Sequence, residues 1–314
     1  MIISASRRTD IPAFYHEWFI NRIREGFLYT RNPFNAHQIA RVSLIPSEVD
    51  IIVFWTRNPE KLIPFISEMN QMGYRYYFQF TITGYPRVIE KSVPNPNRAI
   101  EIFKEISKIL GPGKIVWRYD PILLSNKVDA QEHKRLFSKI AEQLEGHTKR
   151  VVISFADFYK KTERNLKAIA TLQYSDITKQ ASELYDLAQN LSLTASNHNM
   201  QISSCSEIID LDYVGIRHGK CIDDQLIFEE FGIRVDARKD KGQREECGCI
   251  KSVDIGQYNT CLHGCSYCYA TFSPMSVEKN RRMHNPKSPF LVGGSEEENI
   301  DIHKEPASVQ VSLF

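Results

Sequence analysis

Three cysteines separated by three and then two residues, Cys261, Cys265 and Cys268, lie in the run Tyr258-Asn259-Thr260-Cys261-Leu262-His263-Gly264-Cys265-Ser266-Tyr267-Cys268-Tyr269-Ala270. Thiolates at this spacing can converge on one cubane iron–sulfur cluster, which ordinarily takes four. Three thiolates leave one iron open to a ligand, as catalytic metal sites require. The competing assignment for the same residues is a structural zinc or a passive cluster.

All seven cysteines of the 314-residue chain lie beyond residue 200. The N-terminus Met1-Ile2-Ile3-Ser4-Ala5-Ser6-Arg7-Arg8 carries charge before any apolar stretch develops, so no secretory signal is expected there. No apolar run approaches the ~20 residues that cross a bilayer. The expected compartment is the cytoplasm, where disulfides are disfavoured and clustered cysteines point to metal or catalysis. Cys205, Cys221, Cys247 and Cys249 are enough for a second site, with Gly248 letting the last two thiols turn toward one metal. A second iron–sulfur cluster and zinc both suit four thiolates. The alternative is that Cys205 and Cys221 are plain core thiols.

Around these residues the first two hundred positions alternate short apolar runs with amphipathic stretches. Expected strands are Ile2–Ser6, Ile51–Thr56, Tyr76–Thr83, Lys114–Tyr119, Arg150–Phe155 and Met200–Ser204. Helical spacing runs through Phe14, Trp18, Ile20 and Ile23, and through Ile100, Phe103, Ile106 and Leu110. Further helices are expected from Asn58-Pro59 to Gly73, from Asp129 to about Glu145, and from about Asp176 to Leu191.

Such alternation implies an α/β fold, a parallel (β/α)6-type partial barrel with ligands beyond the strand C-termini. A cysteine-rich metal-binding region would follow it. The expected division is residues 1–204 for the barrel-like units, 205–294 for the cysteine-rich region with its loop at 258–270, and 295–314 for a flexible acidic tail. Polar residues close most of the strands: Arg7-Arg8-Thr9-Asp10, Thr56-Arg57-Asn58, Thr81 and Thr83, Arg118 and Asp120, Ser154 and Asp157, and Ser203-Ser204-Cys205. Together they would floor a polar site, although polar residues also simply open solvated loops.

The CxxxCxxC spacing with Tyr267 before the last cysteine resembles the signature of radical S-adenosylmethionine (radical SAM) enzymes. The fuller string from Tyr258 to Ala270 is similar to the branch containing spore photoproduct lyase and its DNA-repair-lyase-like relatives. The resemblance implies that Cys261, Cys265 and Cys268 bind a 4Fe-4S cluster whose fourth iron chelates SAM. Tyr267 would lie near the adenine, and Arg118 and Ser154 are further candidates for holding the cofactor. Reductive cleavage of SAM would yield a 5′-deoxyadenosyl radical, with an electron-donating partner required. The family carries its cluster loop after its first strand, whereas here it comes late. A circular permutation, with Ser252–Tyr258 packing beside Ile2–Ser6, would reconcile the two. From Ser4-Ala5-Ser6-Arg7-Arg8-Thr9-Asp10 to the C-terminal cysteines the chain also resembles an uncharacterised bacterial family filed as a domain of unknown function, which implies no activity.

The last residues, Gln310-Val311-Ser312-Leu313-Phe314, resemble the peptide by which bacterial repair proteins dock on the DNA sliding clamp. Leu313 and Phe314 would enter an apolar pocket, with Gln310 at its rim. Together with the lyase-like resemblance this points to nucleic acid, with Arg7, Arg8, Arg57 and Arg118 available for phosphates or equally for the carboxylate of SAM, and Trp55, Trp117 and Tyr119 for bases, although aromatics at strand positions more often belong to the core. The balance of 40 basic against 38 acidic residues, a net charge of +2, means that any such site is local. The reading reached is a radical SAM enzyme acting on nucleic acid in lesion repair or base modification. Its alternatives are a radical SAM enzyme on a small molecule or protein, and a non-catalytic metal-stabilised module of a repair assembly.

Overall fold

The computed structural model describes residues 1–33, 35–294 and 302–303. Eight strands form one parallel sheet: β1 (Ile2–Ala5), β2 (Ile51–Thr56), β3 (Tyr76–Thr81), β4 (Ile115–Ile122), β5 (Arg150–Phe155), β6 (Gln201–Ser204), β7 (Arg217–His218) and β8 (Val253–Asp254). Their order in space is β7-β6-β5-β4-β3-β2-β1-β8. Each strand up to β7 adds beside its predecessor. The chain then returns across the sheet to place β8 beside β1, with Val253 opposite Ile3 and Asp254 opposite Ser4.

The first six strands lie where the apolar runs predict them, and the central ones, β2 to β5, are rich in β-branched or aromatic residues and largely buried on both faces. Alternate side chains go to different cores. Ile3, Ile52, Phe54, Phe78, Phe80, Trp117 and Ile153 face the helices α2 (His16–Glu25), α3 (Ile66–Gln71), α4 (Pro96–Leu110), α5 (Ala130–Leu144) and α7 (Ala181–Asn197) in the main cluster, while α1 (Ile11–Phe14) and α6 (Lys160–Lys167) are short connecting helices. Full burial of each such aromatic contributes about 1.5–3 kcal/mol. Ile2, Ile51, Val53, Tyr77, Val116 and Val152 form a second cluster with α8 (Asp224–Phe231) and with Cys221, Cys247, Cys249 and Ile250. One sheet face is thus packed by helices, and the other by the cysteine-rich segment.

Local chemistry explains most helix ends. Asn95 accepts from the Asn97 N–H with Pro96 in the first turn of α4, and Asp129 accepts from the Glu132 N–H at the start of α5. The helix expected from Asn58-Pro59 instead begins as a 3-10 segment, Glu60–Phe65, and becomes α-helical at Ile66; Pro64, lacking an N–H, sits in the tighter stretch. Asp176 caps a short 3-10 turn, and α7 starts only at Ala181 but runs on to Asn197. An antiparallel hairpin, Phe27–Asn32 with Asn35–Ser43, went unanticipated. Among its described residues Leu28, Ile39 and Val42 are the buried hydrophobic ones, so its alternation is faint. No helix among the described residues is long and apolar enough to cross a membrane.

Candidate metal and cofactor site

The inner sheet face changes character along the strands. Below are Ile2, Ile51, Val53, Val116 and Val152; two residues on, the same columns carry Ser4, Trp55, Arg118 and Ser154. These polar ends meet the cysteine loop, which follows directly from β8. Gly256 passes so close to the end of β1 that a Cβ there would stand 2.0 Å from Ser6 Oγ. Only glycine fits this crossing, and it carries the chain over β1 into the loop.

The loop is tied at its base and along its length. The Asn259 N–H donates to the Ala270 carbonyl (2.9 Å), and the Asn259 side chain accepts from the Phe272 and Ser273 N–H groups ahead of α9 (Pro274–Arg282). Residues 263–266 pair with 89–92: the Ser92 N–H donates to the His263 carbonyl and the Ser266 N–H to the Ile89 carbonyl, each at 2.9 Å. Gly264 between them has φ +67, a left-handed conformation that glycine adopts without strain.

Two polar groups lock the loop to the strand ends. Asp10 joins β1 to β2 by accepting from the Thr56 hydroxyl and the Arg57 N–H, both at 2.7 Å, and its carboxylate also meets His263 Nε2 at 2.7 Å. Arg57 forms a buried ion pair with Glu90 (2.8 Å) and donates to the Tyr267 hydroxyl, which in turn donates to Glu90. Thr83 donates to the same carboxylate at 2.8 Å. Burial holds the Tyr267 phenol well above its ordinary range. A cavity of about 190 Å³ opens beyond β3, lined by Thr81, Thr83, Tyr85, Arg87, Glu90 and Asn95 among others.

Cys261, Cys265 and Cys268 are all half-buried free thiols. Each lies within electrostatic reach of the others, since Cys265 and Cys268 both act on Cys261. Burial pushes the Cys265 thiol up to about 12, with Glu90 and Cys268 adding to this and Arg57 opposing it. Binding a metal would therefore release protons. Among the described residues no three Cys, His, Asp or Glu side chains already encircle a metal-sized centre. In type and number, three adjacent thiols on a pinned loop beside a guanidinium fit three irons of a cluster.

Cys205, Cys221, Cys247 and Cys249 meet on the inner sheet face. Cys205 Sγ lies 3.0 Å from Cys221 Sγ, Cys221 contacts Cys249, and Cys249 contacts Cys247. Tyr77 and Gln79 of β3 both donate to the Cys221 carbonyl (2.7 and 2.8 Å), and Arg118 donates to its sulfur at 2.7 Å.

The other expected site residues fall as follows. Arg118 is buried and paired with Asp120, facing the second thiol group; Ser154 is half-buried on β5. Arg8 is paired with Asp254 (3.0 Å), and Arg7 lies over the Trp55 ring. All four arginines put forward for phosphate are thus engaged internally. Trp117 and Tyr119 belong to the helix-side core, where they pack on Phe137. Gln310, Leu313 and Phe314 lie outside the described residues. Sequence reasoning missed Glu90, which sits in an irregular stretch with no periodic or motif signal.

No curated protein and no solved structure matches the chain. A family model described as "Domain of unknown function (DUF1848)" matches residues 2–270, from the first residue of β1 to the last residue of the cysteine loop's base. With the strands, inner-face thiols and cysteine loop all inside that match, this chain belongs to the DUF1848 family.

Proposed function

We propose that the protein is a radical SAM iron–sulfur enzyme. The observation that carries the reading is the position of the CxxxCxxC loop: it leaves a parallel strand, β8, and lies against the C-terminal ends of β1, β2 and β3, where parallel α/β folds bind ligands. The sequential strand order, with helices α2 to α5 and α7 on one face, further supports a partial barrel. β8 comes last in the chain yet lies first in the sheet, beside β1, which is what a circular permutation would produce.

On this reading Cys261, Cys265 and Cys268 hold three irons of a 4Fe-4S cluster. When bound, the cluster and SAM supply reductive cleavage to a 5′-deoxyadenosyl radical. The chain's own residues position and shield. Asp10 and His263 keep the loop against β1 and β2. Glu90 neutralises Arg57 and fixes Tyr267 over the strand ends. Nucleic acid as the substrate rests on the lyase-like resemblance, and phosphates would need groups other than the four internally engaged arginines.

The test is anaerobic reconstitution with iron and sulfide, reduction with dithionite, and quantification of 5′-deoxyadenosine from added SAM. Production that disappears in the Cys261→Ala, Cys265→Ala, Cys268→Ala variant supports the reading. A chain that assembles no iron–sulfur cluster sinks it. Salt-dependent binding to DNA or RNA separates a nucleic-acid substrate from a small molecule or protein.

A further inference from the structure

We infer that Cys205, Cys221, Cys247 and Cys249 form a closed binding site for one zinc ion, separate from the CxxxCxxC loop and structural in role. The four sulfurs come from three separate segments: the end of β6, the turn before α8, and the Cys247-Gly248-Cys249 hairpin. Cys221, Cys247 and Cys249 are buried and Cys205 half-buried, all without disulfides. All four proposed donors are thiols.

Spacing selects a single ion. Zinc–sulfur bonds of about 2.3 Å in a tetrahedron place the sulfurs about 3.8 Å apart. Cys205 and Cys221 stand at 3.0 Å, and contacts continue through Cys249 to Cys247. The four thiols do not yet encircle a metal-sized centre, and widening the Cys205–Cys221 edge by roughly 1 Å brings it to the tetrahedral separation. A cubane would drive its cysteines much further apart, because each sulfur then caps a different corner. With all four positions taken by protein, no site remains for a substrate, as in structural zinc centres.

Charge argues the same way. Four thiolates around one Zn²⁺ carry a net negative charge, and two buried guanidiniums face them. Arg118 donates to Cys221 Sγ, and Arg7 lies beside Cys249 and Cys247. Arg7 Nη2 is buried with no hydrogen-bond partner among the described residues, a costly arrangement against neutral thiols. Thiolates held by a metal would satisfy it.

The ion would also explain how a poorly structured segment stays packed. Residues 232–250 contain no helix and no strand, yet Cys247, Cys249 and Ile250 are buried against the sheet. A metal that ties this segment to β6 and to the Cys221 turn supplies what its few apolar residues cannot.

Metal analysis of the full-length chain, purified without chelator, tests the assignment. We expect about one zinc per chain, retained in the Cys261→Ala, Cys265→Ala, Cys268→Ala variant. Zinc should fall roughly tenfold in Cys221→Ser, Cys249→Ser. Because that variant could misfold, the wild-type chain is also stripped and titrated with Co²⁺. The intense visible bands of a tetrahedral cobalt thiolate, bleached by added Zn²⁺, support the site in the native fold. Iron lost from the Cys221 and Cys249 variant in place of zinc, absence of any such metal and cobalt spectrum, or a Cys205–Cys221 disulfide in the purified protein would each overturn it. Retention of zinc in the loop variant keeps this result independent of the radical SAM reading.

Discussion

The two cysteine groups differ in how the chain assembles them. Cys261, Cys265 and Cys268 sit on one short loop, half-buried at the rim of the strands, pinned by backbone pairing with residues 89–92. Cys205, Cys221, Cys247 and Cys249 come from three segments and meet inside the fold, against Tyr77, Gln79 and Arg118. A local loop with three donors keeps a ligand position open, which suits chemistry. A closed set of four gathered from distant segments suits stapling. The lesson is that donor number and chain separation together indicate role, where a count of cysteines alone does not.

The sharpest way to break this contrast is a pair of single substitutions. Cys265→Ala should reduce 5′-deoxyadenosine formation to the no-enzyme background while zinc content stays unchanged. Cys205→Ala should do the reverse to zinc and leave the iron of the loop in place. If both variants lose the same metal, the two groups are one system and the contrast is wrong.

Next in size is the lock between loop and strands. Glu90 is 3% exposed and Arg57 11%, so Glu90→Gln leaves a buried guanidinium without its counter-charge. The expected loss is about 3–5 kcal/mol of unfolding free energy, read from urea midpoints at constant slope. A change below about 1 kcal/mol would place the Arg57 charge in contact with solvent instead.

The smallest effect separates acid lability of the fold from proton competition for thiolates. His133, in the helix-side core, accepts from the Tyr119 hydroxyl at Nδ1 and faces the Leu123 carbonyl with Nε2. Burial lowers its pKa from 6.5 to about 4. Between these values the unfolded chain binds a proton that the folded chain refuses, so stability falls as pH drops from 6.5 to 4 and levels off below. The loss is on the order of 3 kcal/mol. In metal-free His133→Leu this slope should vanish, although the variant is less stable at every pH. A slope that survives assigns the acid sensitivity to other groups.

Much of the fold was legible because its signals are local. Continuous apolar runs marked six strands, and Asp129 marked a helix start that follows from a hydrogen bond a few residues away. The Tyr258–Ala270 run stood out for the same reason, since the spacing of its cysteines is a property of consecutive residues. Glu90 was not, because nothing in its own stretch reveals that Arg57 and Tyr267 converge on it. Trp117 and Tyr119 took the core position that is the commoner one for strand aromatics, and only the direction of their pleat assigns them there.

By itself, then, the sequence determined the alternation of strands and helices, the positions of the cysteines, and the close spacing of three of them. The expected packing of Ser252–Tyr258 beside Ile2–Ser6 is met where β8 pairs with β1, whereas the tertiary structure alone decided that four remote cysteines touch, and that Arg8, Arg57 and Arg118 are each matched with an internal carboxylate. The reason is physical. Propensity, capping and ligand spacing act over a few residues, whereas strand order, burial and charge pairing depend on which distant segments the hydrophobic faces bring together.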